Sequence, residues 1–181
     1  MRVKLATRFL LFAGLCAPLT SVDMLLREGH SAPNSRIVFT STRHRNADIF
    51  VMDADGGNQE RLTFKNASDV HPTWSPDREK IAYVSNIGGG WPQIYVMDAR
   101  GKGAIKLTDS PRRKGDLDWS PDGKKIAFDS RGWDRKNPRI IVMDADGNNS
   151  FKLTDGEGPS WSPDGRRIAF APGTIGMIKF S

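Results

Sequence analysis

The chain has 181 residues, 38% of them apolar and 27% charged, with a formal net charge of +6 and a pI near 9.7. This is an ordinary globular balance of about one domain, and its 18 Gly and 11 Pro recur in register, which excludes a disordered low-complexity chain. The positive excess favours acidic partners but does not by itself make a nucleic-acid binder.

Taken in chain order, the first predicted element is an export signal with its leader, residues 1–32. Arg2, Lys4 and Arg8 form a basic start, followed by an apolar run at 9–17. That run is too short for a membrane span and suits a signal h-region. Cleavage fits after Ala17 or near Ser31 and Ala32. Cys16 raises the question of a lipid anchor, but Leu15 stands where a lipobox needs a small residue, so an anchor is disfavoured. No cysteine follows Cys16, so no disulfide forms within the mature domain.

Residues 33–181 repeat one pattern. Val-Met-Asp-Ala occurs at 51–54, 96–99 and 142–145, and Leu-Thr follows at 62–63, 107–108 and 153–154. Trp-Ser-Pro-Asp then occurs at 74–77, 119–122 and 161–164, and Ile-Ala-aromatic at 81–83, 126–128 and 168–170. The three Trp are 45 and 42 residues apart, the period of β-propeller blades. Period-two alternation predicts strands at 36–42, 48–54, 60–63, 71–75, 80–86, 93–99 and 104–108. It predicts further strands at 116–120, 125–131, 139–145, 151–154, 158–162, 167–171 and 175–180. Each blade is then a four-stranded antiparallel meander opening on the Trp-Ser strand, with two blades complete and two partial. About thirteen or fourteen strands fall short of the roughly sixteen that four blades need, so the expected architecture is all-β with an incomplete, open ring.

The turns have their own chemistry. Ser-Pro-Asp-Gly at 120–123 and 162–165 combines a preset Pro with a Gly free to take φ > 0, and Arg78 replaces that Gly in the first copy. Asp-Ala-Asp-Gly at 53–56 and 144–147, with Asp-Ala-Arg-Gly at 98–101, reads as a hairpin turn. These motifs closely resemble the TolB-like, WD-repeat-like propeller blade over about residues 36–172. The resemblance implies a bacterial periplasmic or extracytoplasmic propeller that binds other proteins. A full-length member is expected to pair an α/β domain with a six-bladed propeller; this chain resembles the blades alone.

Other constellations carry less. Asp53, Asp55 and Asn58, and Asp144, Asp146 and Asn149, suggest calcium loops. An EF-hand would need Glu at its twelfth position, which here is Phe64 or Asp155, and strands flank both stretches, so they read as hairpins. With only His30, His44 and His71, and no zinc motif, no metal site is expected, and no cofactor. No GxSxG nucleophile elbow occurs. Met52, Met97 and Met143 read as sheet core, as do Trp74, Trp119 and Trp161.

In a meander the connections alternate between the two ends of the blade. The turns that vary little share one end, and the variable segments share the other: 42–46, 65–69, 86–92, 110–114, 131–137 and 155–158. That end collects Arg43, His44, Arg45, Arg112, Arg113, Lys114, Arg131, Arg135 and Lys136, with Trp91 and Trp133. Arg and Trp are enriched at interface hot spots, and loops on rigid scaffolds are where binding concentrates. The expectation is a non-catalytic exported module, periplasmic or secreted, that binds an envelope-associated protein, or a glycan, through this basic face. Nucleic acid is not expected as a partner, and self-association through open blade edges is. The alternatives are a lyase-like propeller enzyme acting on acidic polysaccharide, or a segment of a larger propeller protein.

Overall fold

The computed structural model describes residues 36–132, 137–171 and 176–179. The expected export signal with Cys16, and Trp133, Arg135 and Lys136 of the basic face, lie outside the described residues. Among the described residues, fourteen strands form four antiparallel sheets and there is no helix. The first sheet holds β1 (Arg36–His44), β2 (Asn46–Asp53) and β3 (Glu60–Arg61). The second holds β4 (Asp69–Trp74), β5 (Lys80–Ser85), β6 (Gln93–Asp98) and β7 (Ile105–Lys106). The third holds β8 (Arg113–Trp119), β9 (Lys125–Arg131), β10 (Arg139–Asp144) and β11 (Phe151–Asp155). The fourth holds β12 (Glu157–Trp161), β13 (Arg167–Ala171) and β14 (Gly176–Lys179).

The sheets stack face to face as blades. This explains β5, where Ile81, Ala82, Tyr83 and Val84 are buried without alternation: the blades on either side cover both faces. Ile49, Val51, Leu62, Ile81, Tyr83 and Met97 form the core between the first two blades. Val84, Ile94, Trp119, Ile126, Phe128 and Met143 belong to the next, and Ala127, Val142 and Ile168 to the third. β4, β8 and β12 touch in sequence and form the inner edge of an arc. No strand of the first sheet touches the fourth, so among the described residues the arc is open.

Met97, Met143 and Trp119 are buried as expected, while Met52, Trp74 and Trp161 are only half-buried. The Ser-Pro-Asp turns owe their rigidity to one hydroxyl. Ser120 Oγ donates to Asp122 Oδ1 at 2.6 Å and accepts from the Lys125 N–H at 2.9 Å, and Ser75 and Ser162 repeat the arrangement. Arg78 takes the glycine's left-handed conformation at φ 63°. Its guanidinium donates to the Arg36 carbonyl at 3.1 Å and lies over Trp74, which offsets the strain.

Two boundaries differ from the sequence reading for the same reason. β4 and β8 begin at Asp69 and Arg113, two and three residues early, because a bulge interrupts each inner strand, between Val70 and Thr73 and between Lys114 and Leu117. A bulge breaks alternation, so the residues before it look like loop. Likewise 42–46 is no loop: β1 runs to His44, which pairs with Asn46 across a tight tip at Arg45, φ 67°.

Candidate functional site

The variable end of the arc is built from the tips of β1, β2, β5, β6, β8 and β9. Arg43 lies flat on the first sheet, donating to Ser41 Oγ at 2.9 Å and Gln59 Oε1 at 2.8 Å, with its guanidinium 4.6 Å from the Phe50 ring centroid. His44 stacks on the same ring. Arg112 is half-buried and braces the β9–β10 connection, donating to Ser130 Oγ, the Ser130 carbonyl and the Asn137 carbonyl at 3.2–3.4 Å. Arg45 and Arg113 are exposed and make no side-chain bond among the described residues, and Trp91 is 40% exposed. Of the eight basic-face residues within the described regions, these three are exposed, with side chains not engaged by other side chains among the described residues.

Lys114 corrects the sequence reading most. Its place in the variable segment 110–114 predicts an exposed, partner-facing lysine, yet it is 6% exposed, because the bulge in β8 turns it inward. Its Nζ donates to Ser110 Oγ at 2.9 Å and to the Arg112 carbonyl at 2.7 Å, and no carboxylate pairs with it among the described residues. Burial, with the Arg112 charge adding to it, lowers its pKa from 10.5 to about 8.

Arg113, Lys114 and Arg131 converge on one cavity of about 280 Å³ at the inner rim, between the second and third blades. His71, Gly115, Asp116 and Asp129 complete its wall. His71 Nδ1 and Asp116 Oδ1 are 2.7 Å apart across the two inner strands. Asp129 is fully buried; it accepts from Arg131 Nε at 3.3 Å and from the Asp116 N–H at 3.2 Å. Arg131 also reaches Glu157 of the fourth blade at 2.8 Å. Gly115 is required here, since a Cβ would stand 2.4 Å from Asp129 Oδ1. The sequence reading missed His71, Asp116, Asp129 and Glu157. A usable signal existed: His71 and Asp116 each stand three residues before a blade Trp, the position that faces the inner rim.

At the opposite end the Asp-rich turns are hairpins. Asn58 Nδ2 donates to Asp53 Oδ2 and Asn149 Nδ2 to Asp144 Oδ2, both at 2.6 Å, and Lys125 Nζ lies 2.7 Å from Asp144. The carboxylates thus serve their own turns. Among the described residues no three His, Cys, Asp or Glu side chains are grouped to hold a metal ion.

A family model described as the TolB beta propeller domain matches residues 29–177. The chain belongs to the TolB β-propeller family. Over 56 residues it is 38% identical to the Tol-Pal system protein TolB of Desulfosudis oleivorans, a stretch that is 31% of this chain and 13% of that relative. A TolB-like protein solved from Agrobacterium tumefaciens superposes with a TM-score of 0.66 at 29% identity, covering 81% of this chain and 55% of the other. The chain therefore spans little more than half of that TolB structure. An oligogalacturonate lyase solved in complex with manganese shares the fold at 21% identity and a TM-score of 0.58, over 76% of this chain and 42% of the lyase.

Proposed function

We propose that this TolB-family chain is a non-catalytic, exported module that binds a protein partner of the bacterial envelope through the variable end of its blades. The observation that carries the reading is the rim itself. Arg45 and Arg113 stand exposed without a counter-charge, Trp91 is exposed at the same end of the blades, and Arg113 opens onto the cavity walled by His71, Asp116 and Arg131. Unpaired Arg and exposed Trp at the end of a rigid stack are suited to an acidic protein surface. The relatives named for the Tol-Pal system support a partner in the envelope and a periplasmic location.

The test is capture from an envelope extract by the immobilised full chain. Arg45→Glu with Arg113→Glu should lose the partner, and the wild-type capture should weaken with salt. Asp122→Asn with Asp164→Asn, at the other end, should keep it. Loss in the Asp pair and retention in the Arg pair would place binding at the wrong end and sink the proposal.

A second reading, a lyase-like enzyme on acidic polysaccharide, is favoured by one observation: the cavity sets the His71–Asp116 pair beside Arg113 and Arg131. It is tested by incubating the chain with oligogalacturonate and manganese and following unsaturated product in the ultraviolet. Under the binding reading no product forms.

A further inference from the structure

Stacked blades leave a cleft between each neighbouring pair, and the repeat places equivalent residues around the first two clefts. The first, of about 230 Å³, is lined by Thr63, Asp69, Tyr83, Tyr95 and Met97. In the second, of about 340 Å³, the corresponding residues are Thr108, Lys114, Phe128, Ile141 and Met143. The scaffold is the same and the charge at one position is inverted, a carboxylate in the first cleft and an ammonium in the second.

The carboxylate in the first cleft is incompletely satisfied. Asp69 is 3% exposed; burial raises its pKa and the Ser85 and Thr63 side chains hydrogen-bond to the carboxyl, but its Oδ1 has no hydrogen-bond partner. Buried carboxylates are ordinarily paired, and an unmet buried acceptor is costly. The nearby cation, Arg61, is already committed, lying 2.9 Å from Asp48 Oδ2 and donating to the Thr63 carbonyl at 2.6 Å. Around Asp69 the wall is aromatic: the Tyr83 and Tyr95 rings are tilted by 30° with centroids 5.9 Å apart, and Phe64 stands at the mouth. A buried carboxylate among aromatic rings is the chemistry that holds an organic cation. Because Oδ1 lacks a donor, the cation must carry N–H groups.

We propose that the cleft between the first two blades binds a primary ammonium or guanidinium group, hydrogen-bonded to Asp69 and resting against Tyr83 and Tyr95. The second cleft, with Lys114 in the same place, rejects that ligand by charge. The site is separate from the basic rim and stands or falls independently of it.

The test is an amide NMR titration of the full chain with n-butylammonium chloride, reading Ile87 and Ala104 at the first cleft and Ser150 at the second. A saturable millimolar-range shift confined to the first cleft is expected. Tetramethylammonium, which has no N–H, should bind about tenfold more weakly, and Asp69→Asn should weaken n-butylammonium by about tenfold or more. If Asp69→Asn does not fold, Tyr95→Leu should still weaken binding several-fold. Absence of a saturable wild-type shift up to on the order of 50 mM, equal affinity for tetramethylammonium, or unchanged affinity in Asp69→Asn would each overturn the proposal. So would binding seen only in Lys65→Ser, since the chain's own Lys65, at the cleft wall, would then be the occupant. Nα-acetyl-lysine methylamide distinguishes the sources: tighter binding than n-butylammonium points to a basic side chain of a polypeptide, equal or weaker binding to a free amine, and either supports the site.

Discussion

Replacing Lys114 by Met removes a buried cation, and the change should appear in how stability depends on pH. Burial disfavours the charged form, so the folded-state pKa is about 8 against an ordinary 10.5. Below about pH 8 the lysine is protonated in both states, and the full penalty of burying its charge is present. Between about 8 and 10.5 the folded chain gives up the proton while the unfolded chain keeps it. The unfolded state then binds more protons, and stability rises with pH. At 1.36 kcal/mol per pKa unit the ceiling is about 3.4 kcal/mol. Because Lys114 also lines the rim cavity, solvent screening lowers the expectation to about 2 kcal/mol. At pH 7 the substitution relieves the penalty but strands the Ser110 hydroxyl and the Arg112 carbonyl, at about 1 kcal/mol each, so the two proteins should differ little there. Urea unfolding at pH 7, 9 and 10.5 measures the effect. The wild type should gain about 2 kcal/mol on the variant across that range. A constant difference would mean that Lys114 is solvated, as its sequence neighbourhood suggests, and would refute the reasoning.

Trp119→Ala should cost about 3–5 kcal/mol, since Trp119 is 5% exposed within the second core, whereas Trp91→Ala should stay within about 0.5 kcal/mol. Matching losses in circular-dichroism melts would contradict the burial of one and the exposure of the other. Gly147 and Gly56 occupy the same turn position with φ 92° and 86°, but a Cβ on Gly147 would meet the Leu107 carbonyl at 2.8 Å, while one on Gly56 meets nothing. Gly147→Ala should therefore be worse than Gly56→Ala by about 1–2 kcal/mol, the cost of forcing two blades apart; equal denaturation midpoints would rule out that contact. The Ser120 hydroxyl, then the Lys124 N–H, hold the Asp122 carboxyl below its usual 3.8. Its contribution is present above pH 3.8 and disappears as pH falls through the lower folded value. Asp122→Asn should thus lose roughly 0.5 kcal/mol at pH 7, and that deficit should shrink as pH falls through the lowered folded value; a deficit that stays constant in acid would point to a different cause.

Strand positions, blade order and turn chemistry were readable in the chain because they are local. The Ile-Ala-aromatic strands and the Ser-Pro-Asp turns follow from alternation and from one hydroxyl within five residues, and three copies separate pattern from accident. Trp91 could be placed in an exposed loop for the same reason. The open arc followed from counting strands against the repeat.

What needed the tertiary structure was every property set by one blade covering another. Lys114, Arg112 and Arg113 are sequence neighbours with the same charge, yet one is buried, one braces a loop and one is free. The bulge in β8 and the stack of blades decide which is which. His71, Asp116, Asp129 and Glu157 lie in different strands and meet only because three blades bring their inner ends together. Asp69 and Lys114 occupy one repeat position, and no periodicity reveals that both are buried without a counter-ion in contact or that their clefts carry opposite charge. Alternation along a strand assigns a residue to a face; whether that face meets water or a neighbouring sheet depends on stacking, which joins residues far apart in the chain.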